Sequence, residues 1–400
     1  RAVAPPPGDD GTSGGTTGAP GDSGTDASSA EDPTVDPTLP TDPTTPVDTG
    51  GEDPCEEAVP IGPYCYAVVQ DILVFGGTVT EMATGRIDPD APEVLVAVTS
   101  DGAVWEHPGD LGGVFAPVMA PSYFAAGNPN GLAVGTMSLG SGFDEAVIAV
   151  THDGGVSAFS PVTDGLAFGE QPIEGGASAP LIGPMIYDPD TGTVASALAF
   201  AAGGGLRLAT ASALLDGQPL LEASGTVLDV DGVPLSEQTA LMAAAGGQLD
   251  VYAPSATDLA ALGPLVELPA EYGAVLRGSS YVEFVVAGGG AISRILFDDN
   301  DVPVVYPVDQ VEVIADFVVG EFDGADGEDL AVLVDEGGVR FLRIYGSSAD
   351  GSLALLAVLP VEHATAIAVY DYWMPSDLLI AYDDPDKGPY LLHLGTAVAG

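Results

Sequence analysis

The sequence predicts an all-β fold made of seven copies of one antiparallel unit, and three observations carry that prediction. A short apolar run of β-forming residues recurs along the chain, a glycine turn follows each run, and an alternating strand follows each turn. The clearest copy is Glu93-Val94-Leu95-Val96-Ala97-Val98-Thr99-Ser100-Asp101-Gly102-Ala103-Val104-Trp105, and the second occupies residues 145–156. Later copies occupy 197–204, 240–247, 282–289, 329–335 and 377–383.

Each part of the unit has a physical reason. The runs before the turns are almost wholly apolar, as expected of strands buried on both faces. Asp-Gly and Gly-Gly pairs supply the positive φ angles that a tight hairpin requires. After the turn the pattern alternates, as in Val339-Arg340-Phe341-Leu342-Arg343-Ile344. An Ala-rich run such as 241–245 has helical propensity, but it is too short and too closely bounded by glycine to form a helix. The turns fall roughly 42 to 52 residues apart, the pitch of a four-stranded blade and too long for a parallel β-helix. Apolar-faced sheets cannot stand alone; set radially, each covers its neighbour. The prediction is a closed, seven-bladed β-propeller over residues 66–400.

Three segments follow from composition. Residues 1–54 mix Pro, Gly, Thr, Ser and Asp and contain no aromatic residue. Such a stretch buries too little apolar surface to offset its ordering entropy, so a disordered stalk is expected, able to space a domain from a surface. Residues 55–65 carry the two cysteines, Cys55 and Cys65. Two free thiols are one reading, and a metal pair without His neighbours is a weaker one. The preferred reading is a disulfide-closed loop leading into the ring, which implies an oxidising compartment. The last blade shows three clear strands, near 366–370, 378–382 and 390–394, where four are needed. Residues 66–72 have strand character and are expected to complete it, closing the ring with both ends of the chain.

Charge excludes whole classes of function. The chain of 400 residues has 59 acidic and 8 basic residues, a formal charge of -51, yet is 46% hydrophobic. Nucleic-acid binding through phosphates needs Lys and Arg to displace counterions, and anionic membrane surfaces attract basic segments. Neither fits. The longest apolar stretch, 194–215, is interrupted by Gly203, Gly204, Gly205 and Arg207 and cannot cross a bilayer as one helix. A start at Arg1 suggests a processed chain, and the expected location is extracellular or at the cell surface.

The most specific stretch is Ala315-Asp316-Phe317-Val318-Val319-Gly320-Glu321-Phe322-Asp323-Gly324-Ala325-Asp326-Gly327-Glu328-Asp329-Leu330-Ala331-Val332. It resembles an FG-GAP/VCBS-type repeat, G-D-F-(N/D)-G-D-G-x-x-D-L-A-V, of the family that includes integrin α-subunits. The resemblance implies a propeller of extracellular and cell-surface proteins that often binds calcium in the acidic loop. Matching the pattern puts Glu321, Asp323 and Asp329 on ligand positions. The central position falls on Ala325, which cannot coordinate, with Asp326 one residue displaced. Calcium takes six to eight oxygen ligands, so carboxylates converging in a glycine-bent loop are the right chemistry. Fainter echoes occur at Asp88, Asp90 and Glu93; at Asp188 and Asp190; at Asp229, Asp231 and Glu237; and at Asp371 and Asp377.

Signatures of catalysis are thin. His107, His152, His363 and His393 are dispersed without zinc spacing, and packed or solvated histidines are the default. The match to G-x-S-x-G at 11–15 lies in the stalk, away from any strand-turn-helix that could present a nucleophile. The expected function is a monomeric binding or adhesion module presenting a propeller face to a glycan or protein ligand. The competing reading is a lyase or hydrolase acting on extracellular polysaccharide, and a third is a structural spacer.

Overall fold

The computed structural model describes residue 55 and residues 58–396, apart from 74–76, 87–92, 108–122, 125–126, 139–143, 161–166, 189–192, 211–212, 215–220, 225–228, 235–238, 245–246, 256–257, 278–281, 298–301, 326, 349–351 and 371–374. The stalk expected over residues 1–54 lies outside the described residues.

The described residues form seven antiparallel sheets, six of four strands and one of five. Taking each sheet as a blade, the innermost strands are Val79–Gly85, Pro129–Ser138, Ala177–Asp188, Asp229–Pro234, Tyr272–Arg277, Val313–Gly320 and Ala364–Tyr370. Each packs against the next, and the seventh packs against the first, so the blades form a closed ring. The second strands are the apolar runs seen in the sequence: Val94–Thr99, Asp144–His152, Thr193–Ala202, Thr239–Ala244, Val282–Gly288, Asp329–Glu336 and Asp377–Asp384.

Why those runs are continuous in apolar residues is visible at the blade interfaces. In blade one, Leu95 and Ala97 pack towards blade seven, whereas Val96 and Val98 pack towards blade two. Seven hydrophobic clusters result, one at each junction between consecutive blades. The hairpin after the second strand is tight. At Gly337-Gly338, for example, both residues have positive φ (57° and 83°), a geometry that β-carbons disfavour.

Closure occurs as the sequence predicts, with one addition. Tyr64–Leu73 pairs antiparallel with Gly388–Thr396 of blade seven, in a register that sets Tyr66 opposite Thr396 and Ile72 opposite Leu391. A further short strand, Val59–Ile61, then pairs outside it. Part of the expected leading loop is therefore sheet, and blade seven has five strands. Cys55 and Cys65 are joined by a disulfide, with Cα atoms 5.3 Å apart.

Candidate functional site

The acidic loop of blade six connects its innermost strand, Val313–Gly320, to its second strand, Asp329–Glu336. Two glycines with positive φ, Gly324 and Gly327, bend it back on itself. Asp329, at the head of the second strand, is fully buried. Its Oδ2 accepts the backbone N–H groups of Phe322 (2.7 Å) and Asp323 (2.9 Å), and its Oδ1 accepts that of Ser347 (2.7 Å). Glu321 Oε1 accepts the N–H of Gly324 (2.7 Å), and Asp323 Oδ1 accepts that of Ala325 (2.7 Å). These bonds satisfy donors that a tight loop would otherwise leave unmatched.

The same geometry gathers charge. Glu321, Asp323 and Asp329 each present an oxygen, all within 4.8 Å of one another. Burial pushes the Glu321 carboxyl up to about 7, reinforced by the charge of Asp329 and opposed by the Gly324 N–H. Burial likewise raises Asp329 to about 6, against the Ser347 and Phe322 hydrogen bonds, with Asp323 adding repulsion. A cluster of carboxylates held so close favours a proton or a cation. The spacing suits one hard cation with oxygens about 2.3–2.6 Å away, which is calcium chemistry. Ala325 adds no side-chain ligand, and Asp326 lies outside the described residues.

The loop also touches the chain's first strands, a contact that the motif does not reveal. The buried Tyr66 donates its hydroxyl to Phe322 O (3.1 Å) in the loop and to Ser376 O (2.9 Å) in blade seven. Ser376 in turn donates its N–H to Glu321 O (2.5 Å), while its Oγ accepts the N–H of Glu321 (2.8 Å). Contact is close throughout: a Cβ on Gly62 would lie 2.7 Å from the Asp323 Cβ, and one on Gly324 would lie 2.5 Å from the Tyr64 hydroxyl. Burial and the nearby Asp377, Asp329 and Glu321 hold the Tyr66 phenol far above its ordinary range.

The fainter echoes do not build such a site among the described residues. Glu93 pairs with Arg86 at 4.0 Å. Asp229 and Asp231 lie within the innermost strand of blade four rather than in a loop, and Asp188 ends that of blade three. Asp377 heads the second strand of blade seven, as Asp329 does in blade six, but its Oδ2 lies 2.8 Å from His393 Nε2. Asp88, Asp90, Asp190, Glu237 and Asp371 are outside the described residues. The histidines stay apart. His107 is buried in blade one and His363 is exposed between blades six and seven. His152 accepts the Gly154 N–H at Nδ1 (3.1 Å), and its Nε2 lies 3.1 Å from Ser157 Oγ; burial lowers its pKa.

No family model matches the chain, and no curated protein matches it. Solved structures do. The WD40 β-propeller domain of Doa1 superposes with a TM-score of 0.54 at 12% identity, covering 83% of this chain and 97% of that one. The BBS1N structure in complex with ARL6DN gives 0.51 at 13% identity for its mercury-soaked form, covering 83% and 98%. Its lead-soaked form gives 0.52 at 13% identity, covering 82% and 98%. At these identities the likeness is one of fold, and the class it defines is the seven-bladed β-propeller.

Proposed function

We propose that the chain is an extracellular or surface-tethered binding module whose ring presents a face to a protein or glycan ligand, with calcium seated in the acidic loop of blade six. The observation that carries the binding role is the combination of a closed, doubly packed ring with large apolar side chains left exposed on its outer strands. Val305 and Tyr306 of blade five and Leu355 and Val358 of blade six are 39–48% exposed. Larger exposed apolar patches mark contact sites, and these side chains, on the outer strands of adjacent blades, are taken as such a surface. The solved propeller BBS1N, described in complex with ARL6DN, supports a protein as partner. The disulfide supports an oxidising compartment. The FG-GAP/VCBS likeness of residues 315–332 supports both the surface location and the metal.

The decisive experiment probes glycan and protein arrays with the full chain in the presence of calcium. Saturable binding of one protein or glycan supports the module. Depolymerisation of a bound polysaccharide, read as new reducing or unsaturated ends, would replace it with the lyase or hydrolase reading.

A further inference from the structure

We propose that the outer edge of blade six, the strand Leu353–Pro360, docks an extended segment of a partner protein with alternating apolar residues and basic ends, an inference that rests on the reading of the outer strands as a contact surface. An edge strand leaves a row of N–H and C=O groups without a neighbour, and proteins blunt such edges by shortness, charge, proline or bulges. The other blades do so. Tyr123–Phe124 and Val59–Ile61 have two and three residues. Ala167–Pro172 carries Glu170, and Leu221–Ser224 carries Glu222. Leu259–Val266 contains Pro264 and two register shifts, and Pro303–Gln310 contains Pro303, Pro307 and Asp309.

Blade six keeps a long edge. Leu353–Pro360 has eight residues, none charged, and no proline before the last position. It ends its sheet, and among the described residues only the neighbouring strand Val339–Ser347 hydrogen-bonds to its backbone. Its one irregularity is Leu356, which the register leaves unpaired between Leu355 and Ala357. That extra residue sets Leu355 and Val358 on the same face. Leu356, Ala357 and Leu359 pack into the cluster between blades six and seven, whereas Leu355 and Val358 are each 48% exposed. An added strand finds backbone groups for affinity and these two side chains for specificity, the β-augmentation mode of recognition.

Charge selects the segment. The chain carries a formal charge of -51, and blade six adds to that field near Pro360. The register sets Val313 opposite Asp335, Asp335 opposite Arg340, and Phe341 opposite Pro360. Glu312, just before the first strand, and Glu362, just after the last, therefore stand at one end of the blade. Both are exposed, and Glu312 accepts the Gly337 N–H (2.8 Å). The arginines of the third strand are already engaged, Arg340 by Asp335 and Arg343 by Asp309 and Glu336. A second copy, with the same net charge, is repelled, whereas a segment with lysine or arginine beside its apolar run is attracted.

The test is fluorescence anisotropy of the full chain with a labelled peptide of alternating valine and threonine that has paired lysines at both ends. Saturable binding is expected, and the same peptide with a central proline should bind about tenfold more weakly. Leu355→Glu adds a negative charge, which would strengthen a purely electrostatic attraction, but it spoils the apolar face and should weaken binding by about tenfold. Leu262→Glu makes the same change at a 61% exposed position on the blunted edge of blade four and should not weaken it. Equal binding of the proline peptide, equal effects of the two variants, or no saturable binding overturns the proposal. So does a dimer that forms at high salt and that Leu355→Glu dissociates, since the edge then serves a second copy. Arrays that capture a protein which Leu355→Glu binds equally well leave the binding module standing and overturn the edge as its site.

Discussion

Blades six and seven place the same residue at the same point and use it differently. Asp329 and Asp377 each head a second strand and each is followed by leucine. In blade six the aspartate accepts three backbone N–H groups and draws the loop from Glu321 around itself. In blade seven the carboxylate pairs with the buried His393 side chain on the adjacent strand. The difference teaches that a strand-heading aspartate can order backbone in one blade and tie a side chain in the next. Among the described residues, three converging carboxylates arise only where Glu321 and Asp323 join Asp329.

The largest expected effect follows directly. Asp329→Ala leaves three donors unmatched in a buried place and should destabilise the ring by about 3 kcal/mol or more. Asp377→Ala removes one side-chain partner and should cost about 1–3 kcal/mol. Urea denaturation of the two variants ranks them. Equal losses would break the comparison, because the loop amides would then be served as well by water as by Asp329.

The next effect is in pH. The folded values of Glu321, about 7, and Asp329, about 6, lie above the ordinary carboxylate values of 4.5 and 3.8. The folded state therefore binds protons more tightly than the unfolded chain, and the resulting stability is complete below the unfolded values. It is lost as pH rises through the folded ones. Melting temperature should fall between about pH 4 and pH 7, and Glu321→Gln should flatten that slope relative to the wild type. A slope identical in the two proteins would assign the pH response to the general negative charge.

A smaller effect tests what the two blades share. Tyr66 donates to carbonyls of both the blade-six loop and the blade-seven turn. Tyr66→Phe keeps the ring in its cluster and removes only the hydroxyl, so a loss of about 1–2 kcal/mol is expected. Proteolysis should then cut first near the N-terminal strands if the hydroxyl holds the closure. Unchanged cleavage would show that the pairing with Gly388–Thr396 suffices alone.

How much of this was legible in the sequence depends on how far apart the cooperating residues lie. The second strands could be read directly, because burial on both faces demands apolar residues at consecutive positions and the hairpins demand glycine. Glu321, Asp323 and Asp329 could be read because they fall within one loop. The innermost strands were harder. Ala177–Asp188 contains Pro180 and Pro184 and two register shifts, and so loses strand periodicity. Outer strands such as Leu353–Pro360 pack on one side only and show a weak pattern. The three-residue strand Val59–Ile61 is too short to carry any periodicity. Tyr66 is a buried hydroxyl whose acceptors are 256 and 310 residues away in sequence. No local spacing announces such a contact; only closure of the ring brings it about.

The smallest effect separates the metal from the backbone role. With Ala325 contributing no ligand, calcium affinity should be weak, with a dissociation constant of about 10⁻⁴ to 10⁻³ M as in extracellular modules. At ~10 mM calcium and a constant near ~1 mM, mass action adds about 1.4 kcal/mol of stability. That raises the melting temperature by a few degrees at most in a domain of this size. Divalent screening of -51 formal charges would mimic the rise, so magnesium at equal ionic strength is the control. Magnesium demands tight octahedral geometry and keeps its water, so it should stabilise less through this loop. Asp323→Ala/Glu321→Gln leaves the Asp329 bonds to Phe322 and Ser347 intact while removing two of the three converging oxygens. It should abolish the calcium-over-magnesium difference without the collapse expected of Asp329→Ala, and Asp377→Ala should retain the difference in full. If the wild type shows no preference for calcium, blade six differs from blade seven in backbone order alone, and the acidic loop keeps its shape without a metal.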